Sequence, residues 1–142
     1  MRFIVLLTLF ATVACSSQKP AATAAPSADP YANGRAIFMT GRDAAGDRIT
    51  ASPAPLKTAC IQCHRGDGSG GMKFPGGVVS ADLRHTALVN AQKHPYTIRL
   101  LMRAISTGVD NEGQKLSPVM PRWRMSQRDL HDVAAYVYDR LK

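Results

Sequence analysis

The 142-residue chain has only three cysteines, Cys15, Cys60 and Cys63. Three thiols cannot build the disulfide framework of a small secreted scaffold. A structural zinc site takes four ligands, usually two Cys pairs or a Cys pair with spaced histidines. One Cys pair is present, and His85 and His94 lack the required close spacing. No alternation of strands and helices surrounds the pair, which argues against a thioredoxin-like redox site. Lys/Arg-rich runs are missing, so the scattered arginines do not suggest nucleic acid. Neither an internal repeat nor an acid, base or nucleophile constellation stands out. The one long apolar run, Phe3 to Val13, is too short for a comfortable membrane span.

What is present is more specific. Cys60-Ile61-Gln62-Cys63-His64 matches C-x-x-C-H, the attachment motif of a c-type haem. Thiols at i and i+3 lie on one face of a helical turn. From there both can bond the two vinyl groups of one porphyrin. His64 is then held against the iron and can supply one imidazole nitrogen. The expected cofactor is one covalently bound haem c.

The N-terminus reads as an export signal over residues 1–14, with Arg2 ahead of the apolar run. Thr12-Val13-Ala14-Cys15 resembles a bacterial lipoprotein signal, although Thr12 stands where an aliphatic residue is usual. That resemblance implies lipidation of Cys15 and a protein anchored to a bacterial membrane in the periplasm, inner or outer undecided. A lipid on Cys15 would also remove a free thiol from an oxidising compartment. Loss of residues 1–14 leaves a formal charge of +7, from 17 basic and 10 acidic side chains. The basic balance suits an acidic docking partner or plain solubility.

Residues 15–29 are rich in Ala, Pro and Ser and read as a flexible tether. Residues 30–142 form the expected domain. A first helix is predicted from Pro30 to about Thr40, capped by Asp29 and stopped by Gly41. Residues 41–57 read as a loop, with a small hairpin at Gly46-Asp47. Arg65 to Gly77 carries six glycines and should wrap closely around something. A short helix is expected within Ala81–Asn90. Pro95–Thr107 forms another, with Ile98, Leu101, Met102 and Ile105 on one face. The last helix starts after Ser126. The fold class is all-α, with long loops closing over a flat ligand.

Haem iron held by one histidine has a second axial position. Met120 lies between Pro118 and Pro121, which stiffen the backbone and keep it out of a helix. A rigid loop suits a weak thioether ligand, because less entropy is lost on ligation. Met39, Met72, Met102 and Met125 are rivals, with Met125 the most serious. His85 or His94 would give bis-histidine ligation. Arg122 or Trp123, beside the loop, could bond a haem propionate.

With these features in hand, the region from residue 30 onward resembles the small monohaem class I c-type cytochromes. The haem motif stands near the start of the domain and the methionine loop near its end. Gly34 and Phe38 match the family's first helix, and Tyr136 the aromatic packed against it from the last. Pro75 stands at about the place of the family's loop proline, whose carbonyl accepts from the ligand histidine. Gly70-Gly71 fits the family's tight loop under the haem. About twenty residues separate Phe38 from Cys60, more than in short members. This insertion is expected to leave ligation untouched. The resemblance implies a non-enzymatic, monomeric one-electron carrier with His64 and Met120 as iron ligands, serving redox partner proteins. The alternatives are a haem subunit of a periplasmic dehydrogenase or oxidase complex, or a sensor or enzyme with an open sixth site.

Overall fold

A computed structural model describes residues 29–54 and 57–142. The expected export signal, Cys15 and the tether to residue 28 lie outside the described residues. Four helices carry the domain: α1 (Pro30–Thr40), α2 (Ile61–His64), α3 (Ile98–Thr107) and α4 (Gln127–Arg140). Two three-residue strands, β1 (Thr50–Ser52) and β2 (Arg122–Arg124), pair antiparallel. Among the described residues no helix is long and apolar enough to cross a membrane.

Helix α1 begins and ends where its sequence says. The Asp29 carboxylate accepts from the Tyr31 amide at 2.9 Å, Pro30 occupies the first turn, and Gly41 closes the helix at φ +68°. Helix α4 starts likewise on Ser126, which accepts from the Asp129 amide. Helix α3 differs from expectation. It starts at Ile98, because Thr97 takes the capping role and accepts from the Leu100 amide at 3.3 Å. Pro95 therefore precedes the helix instead of opening it. The short helix expected within 81–90 is a single π-type turn over Thr86–Asn90. The hairpin expected at Gly46-Asp47 closes through a bridge between Arg42 and Arg48.

Helices α1 and α4 cross at close quarters. A side-chain carbon at Gly34 would stand 2.1 Å from the Asp132 carbonyl oxygen and 2.8 Å from Tyr136 Cβ. Only glycine allows that approach. Phe38 meets Tyr136 with ring centroids 5.7 Å apart. Ile37, Phe38 and Val133 are fully buried between the helices. Each such side chain contributes about 1.5–3 kcal/mol relative to exposure. Asn33 adds a polar seam, donating to Asp129 and Asp132 at 2.9 Å each and accepting from the Ala44 amide at 2.8 Å. This bond ties the start of the 41–57 insertion to the crossing. Helix α3 packs on α4, and its Leu101 and Ala104 are buried.

Candidate functional site

Helix α2 is one short turn carrying Cys60-Ile61-Gln62-Cys63-His64. The Cys63 and His64 amides donate to the Cys60 carbonyl at 3.1 and 2.9 Å, so the two thiols share a face. Gln62 folds back on the segment that leads into the helix. Gln62 Oε1 accepts from the amides of Thr58 and Ala59 at 2.6 and 3.1 Å. Gln62, in the middle of the motif, thus ties residues 58 and 59 to the turn that follows.

Both cysteines are unpaired. Burial pushes the Cys60 thiol up to about 12, and burial also raises Cys63. A redox or zinc-binding pair needs accessible thiolate, which positive surroundings would promote. Burial favours the neutral form of both instead. An uncharged thioether suits such a site better than an anion does.

His64 is 8% exposed. Its Nδ1 donates to the Ala81 carbonyl at 2.9 Å, which fixes the tautomer and leaves the Nε2 lone pair free. Burial pushes its pKa below the ordinary value, against the pull of that hydrogen bond. A neutral imidazole with one nitrogen anchored is what a metal ligand requires.

The acceptor corrects an expectation. The resemblance assigned this bond to the Pro75 carbonyl. Pro75 lies at the exposed tip of a small turn, closed by Phe74 N–H to the Val78 carbonyl at 2.8 Å and a bridge between Lys73 and Val79. The chain goes out to that tip and returns, so the returning strap brings Ala81 to His64. Ser80 fastens the strap. Its hydroxyl donates to the Cys63 carbonyl at 2.8 Å and accepts from the Met72 amide at 2.9 Å. Gly70 makes room for it, at φ +62°, where a side-chain carbon would stand 2.2 Å from the Ala81 oxygen. Sequence reasoning found the glycine but missed Gln62, Ser80 and Ala81. A backbone carbonyl leaves no signature in the sequence.

Met120 is half-buried in a tight turn, its amide donating to the Ser117 carbonyl at 3.1 Å. Met39, Met102 and Met125 pack against the hydrophobic core, whereas Met120 does not. His85 is committed to α4: its Nδ1 donates to the Tyr138 carbonyl at 2.9 Å and its ring stacks edge-on with Tyr138. His94 is exposed and lies beside Glu112.

Arg122 and Trp123, the residues expected to meet a propionate, are both engaged within the protein. Arg122 turns back on its own loop and donates to the carbonyls of Leu116, Ser117 and Met120. Trp123 is buried in the core and pairs with Ala51 across the sheet. The insertion is also less detached than expected. Its β1 hydrogen-bonds to β2, which starts two residues after Met120. An apolar hollow of about 300 Å³ lies between them, lined by Ile49, Ala51, Ala54, Thr58 and Trp123. Thr58 precedes Cys60 by two residues, so the segments flanking the haem motif and Met120 share one hollow.

A neutral thiol pair on one helical face, beside a tautomer-fixed histidine, fits a covalently held metalloporphyrin. The family model described as cytochrome c matches residues 31–139. The chain belongs to the cytochrome c family. Comparison with curated proteins finds no match. Among solved structures, one titled as oxidized SHP, an oxygen-binding cytochrome c, is similar at 14% identity. That similarity covers 73% of this chain and 76% of the other, with a TM-score of 0.37. As a cytochrome c, this chain carries covalently bound haem c with its iron, and its chemistry is haem-based electron transfer.

Proposed function

We propose that this cytochrome c is a one-electron carrier of the bacterial periplasm, anchored to a membrane by a lipid on Cys15. Cys60 and Cys63 would hold haem c through thioether bonds, and His64 and Met120 would ligate its iron. Haem c supplies a one-electron couple. The chain's residues set where that couple lies and who can reach it. His64, anchored through Nδ1, presents Nε2 in a fixed orientation. Met120 offers a soft thioether, which favours the reduced state. Arg103 is a donor with capacity to spare for a haem carboxylate: its buried Nε has no partner, while its terminal nitrogen donates to the Asp110 carbonyl. The monomer serves redox partner proteins.

The observation that carries the ligand assignment is the contrast among methionines. Met39, Met102 and Met125 have core packing to account for them. Met72 is also half-buried outside the core, but it is tied to the His64 side, its amide donating to the Ser80 hydroxyl that in turn donates to the Cys63 carbonyl. Met120 sits half-buried outside the core, in a turn that proline and hydrogen bonds make rigid. The test is optical. The ferric protein should show the weak sulfur-to-iron band in the red, and Met120→Ala should abolish it. The same change should lower the reduction potential and admit carbon monoxide, whereas Met125→Ala should do neither. A wild type that binds carbon monoxide readily at neutral pH would favour an open-site sensor or enzyme instead.

A further inference from the structure

Arg122 has no acidic partner among the described residues, although it is half-buried. A guanidinium in that setting needs another reason to stay folded inward. Three carbonyls supply it. One terminal nitrogen donates to Leu116 at 2.8 Å, the other to Met120 at 2.5 Å and Ser117 at 3.4 Å. These residues span the loop that presents Met120.

The other side of the guanidinium lies flat on Gly108, the residue that ends α3. A side-chain carbon there would stand 1.9 Å from both Cζ and Nε of Arg122. The Gly108 carbonyl accepts from the Leu116 amide at 2.8 Å, which stitches the loop to the same helix end. The Arg122 backbone is held independently, opposite Ser52 in the sheet. Arg122 is thus fixed at its backbone by β1 and at its head by α3, with the Met120 loop gripped between.

We infer that Arg122 is a positioning residue: seated on Gly108 and bridging the carbonyls of Leu116, Ser117 and Met120, it holds the Met120 sulfur in ligating register. This rests on Met120 being the sixth ligand. Lysine would keep the charge but not the planar fork that reaches three acceptors at once. Charge and positioning can therefore be separated.

The experiment titrates the ferric, haem-loaded protein with imidazole, which competes with the methionine sulfur, and follows the red band. Losing hydrogen bonds from a charged donor should loosen the loop enough to tighten imidazole binding about tenfold or more. Arg122→Gln and Arg122→Lys should both show this. Gly108→Ala should show it too, because it removes the seat. If Arg122→Gln fails to load haem, the lysine and Gly108 variants decide. Wild-type imidazole affinity in both Arg122→Lys and Gly108→Ala would overturn the inference, even if the melting temperature falls. So would a reduction potential lowered in Arg122→Gln and restored in Arg122→Lys with no change in imidazole affinity, which marks a charge effect alone. If Met120→Ala itself keeps the band, the ligand assignment fails first.

Discussion

Gly70→Ala tests the strap that orients His64. Gly70 has φ +62°, and an added carbon would stand 2.2 Å from the Ala81 oxygen and 2.6 Å from the Ser80 oxygen. Side-chain carbons do not tolerate contacts under 3.0 Å, so the strap must retreat by about 1 Å. The His64 bond to Ala81 is 2.9 Å long. Stretched by that much it exceeds about 3.5 Å and ceases to be a hydrogen bond. A buried ring N–H left without a partner costs about 1–3 kcal/mol. The left-handed backbone adds about 1–2 kcal/mol for a residue with a Cβ. The expected loss is about 2–5 kcal/mol, or a fall in Tm of roughly 8–20 °C for a domain of this size. Gly76→Ala is the matched control. Gly76 also has positive φ, +78°, but no atom lies within 4 Å of its added carbon. It should lose only the backbone part. A second readout separates the His64 bond from general damage. Without that bond the imidazole is a weaker base and supports ferric iron less well, so the reduction potential should rise. Thermal melts and redox titration of the haem-loaded variants measure both effects. If Gly70→Ala melts with Gly76→Ala and keeps the wild-type potential, the strap does not orient His64.

Gly34→Ala places a carbon 2.1 Å from the Asp132 oxygen. It should cost about 3 kcal/mol by forcing α1 off α4, read as a fall in Tm, with the position of the red band unchanged if the damage stays at the crossing. Changing Cys60 and Cys63 together to alanine should leave no haem in the protein after acid–acetone extraction. Haem that remains bound would refute the thioether assignment.

How much of this was legible depended on the range of the signal. The two ends of α1 and the start of α4 are set by residues adjacent in sequence, Asp29, Pro30, Gly41 and Ser126, and each was readable. Pro95 misled because Thr97, two residues on, offers a hydroxyl that satisfies the Leu100 amide. The close crossing at Gly34 was readable only through the family resemblance, since a glycine shows that something approaches but not what. The same limit explains Pro75. Gly70 announces a near neighbour, yet the identity of that neighbour follows from how far the 72–80 turn reaches before returning. No residue type encodes that path.

The insertion shows why local reading fails most at the Met120 loop. Residues 41–57 look dispensable in sequence, being poor in apolar side chains and rich in turn formers. In the fold they reach two places at once. The Ala44 amide donates to Asn33 in α1, and Thr50–Ser52 pair with Arg122–Arg124. The Ile49 amide also donates to the Gly41 carbonyl at 3.1 Å, so the strand is anchored at the end of α1. The α1–α4 crossing, the haem motif and the Met120 loop are therefore joined through one short strand. Cooperative folding of these parts follows: disturbing the crossing at Asn33 frees the insertion, which loosens β2 and with it the backbone of Arg122.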